Sequence, residues 1–491
     1  MASIAQLSSS DREFAGLVSR AAFCNPFSET FSQLHAQIAQ CAPDAPFREL
    51  RSRSVARISE WLQKRKKAGA EDLRRYGGEE RILVATAHLF EVYHRSVDAF
   101  DDLILKQIEE ADRSSAVRFA PEVLPVLAGS GFTHAEALRY FGIFYQMRRA
   151  FFFIHRELLG RSPCMQQLRH HLWNSIFTHD IRWYDRHLWN RMEDFSTLLL
   201  GETGTGKGTA AAAIGRSGFI PFDEKRKCFA ESFTHSFLSI NLSQYPEALI
   251  ESELFGHKKG AFTGAIEVHE GVFARASQHG SIFLDEIGEV SVPVQIKLLQ
   301  VLQERTFSPV GSHEKLRFQG RVIAATNKPP SELRGRGSFR DDFFYRLCSD
   351  VITVPPLRQR LREEPSELDD LLLHILNRMG SEAASELLPM VREILIESVG
   401  KDYAWPGNVR EMEQAVRRIL LTRKYEGDHK TVAPDLRSRL VAGIESGSLD
   451  ADALLSGYCR LLYEHHANFE EVARRTNLDR RTVKAYIEKG K

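Results

Sequence analysis

Cysteine is scarce and scattered. The six thiols, Cys24, Cys41, Cys164, Cys228, Cys348 and Cys459, form no CxxC pair, and none stands at metal-ligand spacing from a histidine. That argues against a disulfide scaffold and a structural zinc site and fits reduced thiols in a cytoplasmic protein. Net charge is nearly absent, +1 over 491 residues, so any contact with nucleic acid must come from a local basic patch. Long apolar runs are missing. Stretches such as AFFFIH at 150–155 are far too short to cross a bilayer, and MASIAQLSSSDREF lacks the charged-then-apolar layout of a secretory leader. No membrane partner is expected. Internal repeats and low-complexity tracts are also lacking. What remains is ordinary globular usage, 43% hydrophobic and 27% charged, with length for about three domains.

Residues 1–155 read as helical. Ile82, Leu83, Leu89, Phe90, Val92, Tyr93, Val97, Phe100, Leu103 and Ile104 recur at helical spacing. Thr133 and Glu136 form a capping box ahead of a second long apolar pattern. From about 156 to 424 the pattern changes. Short apolar runs ending in Gly or acidic residues (STLLLGETG, SIFLDE, RVIAATN) alternate with helical stretches such as VPVQIKLLQVLQER, the signature of a parallel α/β sheet. A polar stretch at roughly 424–450 then leads to a small helical tail.

Ser196–Leu200 reads as a buried strand running into Gly201, Glu202, Thr203, Gly204, Thr205, Gly206 and Lys207, followed by the helix-forming TAAAAI. Glycines let the backbone curl so that several N–H groups face one anion, and the following helix adds its positive end. Lys207 can then reach the terminal phosphates of a nucleotide. Gly208 stands where a Ser or Thr would usually offer Mg²⁺ a hydroxyl, so that hydroxyl is either missing or supplied by Thr209. Ser281–Leu284 is a second buried strand, ending in Asp285 and Glu286. A carboxylate there suits Mg²⁺, and its neighbour can polarise an attacking water. An acidic turn capping a strand would read the same way in isolation; the phosphate loop upstream tips the balance.

Between these motifs lie Gly260, Ala261, Phe262, Thr263, Gly264 and Ala265, inside ESELFGHKKGAFTGA. This loop resembles the signature of sigma-54-dependent transcriptional activators, the bacterial enhancer-binding proteins, whose motor is of the AAA+ family. The resemblance covers about 160–424. It implies an AAA+ P-loop α/β core with a helical lid, flanked by a mainly helical N-terminal domain and a small all-α helix-turn-helix domain. It also implies a sensor role for Asn327, at the end of RVIAATN. Arg340 and Arg346 would be arginine fingers reaching the neighbouring subunit's nucleotide, contacts that can contribute roughly 10³–10⁵ in rate, although surface pairing with Asp341 and Asp342 is the commoner fate of such arginines. Arg410 would be a second sensor, in WPGNVRE, where Asn408 is expected to cap a helix with Glu411 completing the box. Asn241 would restrain Glu286. The implied cofactors are ATP and Mg²⁺, the latter on Asp285. The implied partners are the sigma-54 RNA polymerase holoenzyme, double-stranded upstream activating DNA and further copies of the chain in a ring, expected as a hexamer. Hydrolysis would move Phe262 and Thr263 against sigma-54 and convert a closed promoter complex to an open one.

The tail, 467–487, reads as helix–turn–helix. Asn477 stands where the turn needs a left-handed residue, and Asp479 can cap the second helix. Arg480, Arg481, Thr482 and Lys484 would face DNA. Seven basic side chains stand against four acidic ones over 467–491, and the tail resembles the Fis-type module of the same family. The expected division is therefore 1–155 sensor, 156–355 ATPase core, 356–424 lid, 425–450 linker and 451–491 DNA-binding domain. Residues 1–155 show no strands for a phosphorylatable receiver, so their signal stays unread. The stretch 166–195, with Trp173, Trp183 and Trp189, reads as a helix packed on the motor, or more pointedly as a surface coupling sensor to ring. The segment 223–237 carries no assignable role. The competing reading of the whole is an ATPase-inactive DNA-binding repressor, for which Gly208 is the one supporting feature.

Overall fold

The computed structural model describes residues 5–110, 115–335, 339–380, 383–400, 402–427, 436–445, 447–466 and 468–489. The chain opens with seven helices: α1 (Ser9–Ala22), α2 (Glu29–Ala39), α3 (Phe47–Lys67), α4 (Gly78–Glu110), α5 (Ala120–Gly129), α6 (His134–Glu157) and α7 (Pro163–Phe177). The capping box expected at α6 is formed. Thr133 accepts from the Glu136 N–H, and the Glu136 carboxylate accepts from the Thr133 N–H. A short helix, α8 (Ile181–Trp183), follows.

The α/β region runs β1 (Thr197–Leu200), α9 (Lys207–Gly215), β2 (Phe222–Asp223), β3 (Cys228–Phe229), β4 (Phe237–Asn241), α10 (Glu247–Phe255), α11 (Val272–Arg275), β5 (Ser281–Asp285), α12 (Val292–Glu304), β6 (Thr306–Phe307), β7 (Leu316–Arg317), β8 (Arg321–Thr326), α13 (Pro330–Gly335), α14 (Asp341–Leu347) and β9 (Asp350–Thr353). Five of the strands make one sheet in the order β4-β5-β8-β1-β9, every neighbour parallel. Parallel strands need covered faces. Here α10, α12 and α14 share a core with one face, where Leu198, Ile282, Leu284 and Val322 point. On the other face Leu199, Phe283, Ile323 and Ala325 join a core that also holds α4, α6, α7 and α9.

That second core shows how the N-terminal helices sit. The boundary expected at 155/156 falls inside α6, and the segment up to Tyr425 holds together as one unit. The hairpin β2–β3, in the stretch without an assignable role, lies against α6. Phe229 stacks on Tyr145 at 3.8 Å between ring centroids, and Val117 donates its N–H to the Lys227 carbonyl. Trp173 and Tyr184, from the Trp-bearing stretch, are buried in the same core, while Trp183 is exposed.

The lid consists of α15 (Leu357–Glu363), α16 (Glu367–Arg378), α17 (Ala384–Val399) and α18 (Asn408–Thr422) around its own core of Leu372, Leu376, Met412, Val416 and Ile419. Residues 426–491 form a second unit. It holds α19 (Leu436–Glu445), α20 (Ala451–His466), α21 (Phe469–Thr476) and α22 (Arg480–Lys489). The stretch 425–450, expected as a linker, thus carries a helix; its residues 428–435 and 446 lie outside the described set, as do 467, 490 and 491 of the tail. Cys459, Val472 and Val483 are the buried centre where α20, α21 and α22 meet. Among the described residues no helix is long and apolar enough to cross a membrane.

Candidate nucleotide site and contact loops

The candidate residues collect at the carboxyl ends of the strands, where open parallel sheets place ligands. The loop Gly201–Lys207 joins the end of β1 to α9, Asp285 ends β5, Asn241 ends β4 and Asn327 follows β8. Residues 203–207 of the loop, Asn241 and Asp285 line a cavity of about 470 Å³ together with Gly208, Thr209, Glu286 and Arg410; Gly201, Glu202 and Asn327 lie outside its lining. Two glycines are required by the loop's shape. Gly204 has φ +81°, and a Cβ there would meet the Gly407 carbonyl oxygen at 2.3 Å; Gly206 has φ +100°. The first N–H groups of α9 have no acceptor inside the helix, so the loop presents donors to an anion.

Lys207 is buried, and its Nζ donates to the carbonyls of Gly201 at 2.8 Å and Glu202 at 3.2 Å. Burial lowers its pKa, partly opposed by the nearby Glu286 and Asp285. The converse holds at Glu286, where burial raises the carboxyl's pKa against the pull of Lys207. Glu286 also sits in the left-handed region at φ +56°, a conformation costing about 1 kcal/mol for a residue with a Cβ.

Asn241 does not reach Glu286. Its Nδ2 donates to Asp285 Oδ2 at 3.4 Å, and its Oδ1 accepts from the Ser243 N–H and hydroxyl. The reason is register, since Asn241 and Asp285 are direct neighbours across the β4–β5 pair. Glu286 is approached instead by the Asn327 main chain, and the Asn327 side chain donates to Thr203 Oγ1 at 3.4 Å.

The capping box expected at Asn408 is not formed either. Asn408 begins α18 at φ +53°. Its Oδ1 accepts from the Leu357 N–H, and its Nδ2 donates to the Thr203 carbonyl at 3.0 Å and Glu202 Oε2 at 3.2 Å. Glu411 instead accepts from the Gly407 N–H. Asn408 therefore fastens the lid to the phosphate loop. The Val409 N–H adds a bond to the Gly204 carbonyl, and Arg358 pairs with Glu202. This clamp was not foreseen, and neither were His374 and Arg378 of α16 as wall residues of the cavity. Their only sequence signal is helical periodicity, which says nothing of a phosphate loop so distant in the chain.

Arg340 and Arg346 do not line this cavity. Arg340 is exposed and pairs with Asp342 at 2.8 Å, and Arg346 donates through Nε to the Leu302 carbonyl. Asp341 is taken by Arg334.

Gly260–Ala265 stands apart as a tight turn between α10 and α11. The Gly260 N–H donates to the Ala265 carbonyl at 2.8 Å, and the Ala265 N–H to the Phe262 carbonyl at 3.0 Å. Gly260 and Gly264 have φ +80° and +102°, with open space where a Cβ would lie. Phe262 is 38% exposed, its ring edge against His257, and Ile266 and Val268 beside the turn are exposed as well. The turn thus exposes an apolar tip.

In the C-terminal unit the expected turn is present. Asn477 has φ +54°, and Asp479 Oδ1 accepts from the Arg481 N–H at 2.8 Å. Arg480, Arg481, Thr482 and Lys484 lie on α22, and Arg480 pairs with Glu470 at 3.3 Å.

Strand order β4-β5-β8-β1-β9, a phosphate loop on β1, an acidic pair on β5 and a helical lid fastened to the loop define an AAA+ ATPase domain. Residues 186–353 match the family model of the Sigma-54 interaction domain. The transcriptional regulatory protein ZraR of Salmonella typhi is 33% identical over 337 residues, 67% of this chain and 68% of that protein. The nitrogen fixation protein VnfA of Azotobacter vinelandii is 37% identical over 298 residues (59% and 53%), and the DNA-binding transcriptional regulator NtrC of Azospirillum brasilense 38% over 264 residues (53% and 47%). The chain spans about half the length of these last two relatives. It belongs to the family of sigma-54-dependent transcriptional activators.

Proposed function

We propose that this chain hydrolyses ATP to remodel sigma-54 RNA polymerase and binds upstream DNA through its C-terminal unit. The observation that carries this reading is the convergence of Lys207, Asp285, Glu286 and Arg410 on one cavity, in a chain that also presents an exposed Phe262 turn.

The cavity suits a nucleotide with its metal. The loop N–H groups and Lys207 take phosphate oxygens. Asp285 and the Thr209 hydroxyl are the groups for Mg²⁺, which needs only one or two protein ligands when phosphates supply the rest. At Gly208 an added Cβ would meet nothing closer than the Phe283 ring at 3.9 Å, so the missing hydroxyl there is a choice of residue, not of space. Bound Mg²⁺ would offset negative charge on the phosphates. Glu286 would accept the proton of the attacking water, and Asn327 would sense the nucleotide through Thr203. Arg410, in the first turn of α18, would tie lid position to phosphate.

Arg340 and Arg346, remote from their own cavity, suit delivery to a neighbour's site in a ring, once Arg340 exchanges Asp342 for phosphate. Phe262 and Thr263 would contact sigma-54. Arg480, Arg481, Thr482 and Lys484 on the second helix of the tail would meet the major groove and its phosphates.

The test is ATP hydrolysis against protein concentration for the full chain and for Glu286→Gln. A rate per subunit that climbs with concentration and vanishes in the variant is expected of sites shared between subunits. Absence of hydrolysis at every concentration would sink the motor and favour the repressor reading.

A further inference from the structure

The N-terminal helices enclose a cavity of about 530 Å³, within the range of small-molecule sites, and nothing in the nucleotide chemistry uses it. Its walls are aromatic, with Phe31, Phe47, Phe90, Tyr93, Phe144 and Phe151 among them. Inside stands His35, 0% exposed, with neither ring nitrogen hydrogen-bonded. His94 lies beside it, ring centroids 6.1 Å apart, and leaves Nδ1 unpaired. Burial holds both imidazoles neutral, His35 pushed down to about 4 and His94 well below the usual histidine value. A neutral imidazole carries one N–H donor, so each ring has hydrogen-bonding capacity unspent. Leaving such a group buried without a partner costs about 1–3 kcal/mol, a cost that calls for an explanation.

The charge around the cavity is one-sided. Six arginines line it, against two carboxylates, Glu136 and Asp185. Arg51 and Arg148 both lie close enough to His94 to depress its basicity further. Arg148 is held by Asp101 at 2.6 Å, whereas among the described residues the ion-pair partner of Arg51 is Asp98, at 3.6 Å, with the Asp98 side chain largely in solvent. Arg51 therefore has a guanidinium to offer.

We propose that this cavity is an effector site for a flat apolar acid, an aromatic ring system carrying one carboxylate. The carboxylate is held by Arg51 and the imidazoles of His35 and His94, and the ring lies among the aromatic walls. Aromatic side chains favour edge and offset contacts with a ring, and guanidinium groups recognise carboxylates.

The same helix that walls the cavity holds the motor. On α6, Phe144, Met147, Arg148 and Phe151 face the cavity. The interleaved Gln146 and Arg149 donate to main-chain carbonyls just past the end of α9, at Ser217, Arg216 and Gly218. An occupant that shifts α6 moves the helix behind the phosphate loop. This coupling rests on the proposed ATPase activity; the binding does not.

Calorimetric titration of the full chain with 2-naphthoate, 2-naphthamide and decanoate tests the site without hydrolysis. One 2-naphthoate per chain is expected, bound at least tenfold more tightly than the amide. Arg51→Leu should erase that preference, and Ala85→Trp, which fills the cavity, should abolish binding while the circular dichroism spectrum is kept. If Ala85→Trp does not fold, Arg51→Leu decides alone. No binding of any probe, 2-naphthoate binding unchanged in the variants, or decanoate binding more tightly than 2-naphthoate would each overturn the proposal. The hydrolysis rate with and without 2-naphthoate is a separate readout, so an inactive motor leaves the binding result standing.

Discussion

The guanidinium of Arg149 donates at 2.6 Å to the main-chain carbonyl of Arg216, one residue beyond the end of α9. A second bond, also 2.6 Å, reaches Gly218, and the Tyr145 ring lies 4.2 Å from the guanidinium carbon. Burial lowers the pKa of this arginine, but its ordinary value is so high that it stays charged. A positive group at a helix C-terminus is also favoured by the helix dipole. Arg149→Leu takes the donor from two part-buried carbonyls and should cost about 2 kcal/mol, read as a fall in the denaturant midpoint without a change of slope. A variant as stable as the parent would show that the contact carries no weight.

Glu286→Gln should still bind nucleotide while turnover falls by about 10² or more. Because burial raises the Glu286 pKa, the acid limb of the rate profile should lie above the pH at which an ordinary carboxylate titrates. The same shift has a stability consequence. A carboxyl whose pKa is higher in the folded chain than in the unfolded one makes its ionised form destabilising. The Gln variant should therefore melt higher than the parent at pH 7, and the gain should shrink as pH falls through the raised value toward the unfolded one.

Much of this site was legible because its chemistry is local. The phosphate loop, the acidic strand end and the Phe262 turn are runs of adjacent residues whose spacing alone states what the backbone does. Asn408 was misread for the opposite reason. Its neighbours fit a capping box, but its partners Glu202, Thr203 and Leu357 are far away in sequence. Asn241 was misread by one residue, because strand register and not motif spacing sets it opposite Asp285. The helical character of the first third followed from periodicity. Its docking did not, since the β2–β3 hairpin that meets α6 is too short to announce itself as strand.

Asn408→Ala removes two bonds from the lid to the phosphate loop and one within the lid, and places an alanine at φ +53°. Nucleotide affinity should drop about tenfold, which corresponds to about 1.4 kcal/mol, with the lid more susceptible to limited proteolysis. Unchanged affinity would mean the clamp is passive.

Thr263→Ala should leave ATP hydrolysis within twofold of the parent and abolish open-complex formation with sigma-54 polymerase in a reconstituted transcription assay. Thr263 is exposed and lines no part of the nucleotide cavity, so the variant should fold as before. Retained activation would remove the proposed contact.

A chain beginning at residue 156 loses the helices that cover Phe222, Phe229 and Phe233, all buried in the shared core. It should aggregate, or bind a hydrophobic dye when kept in solution. A soluble fragment with a cooperative melt would show that the motor closes its own surface.

The stacking of Phe229 on Tyr145 also bears on how such a gene can change. Regulators joined by a loose tether can trade sensors by recombination, because each half arrives with its surface finished. Here a crossover between α6 and the hairpin would pair one lineage's rings with another's, and neither half would fit. With the effector site proposed above, changes in response would accumulate by substitution within the cavity, inherited together with the motor they act on.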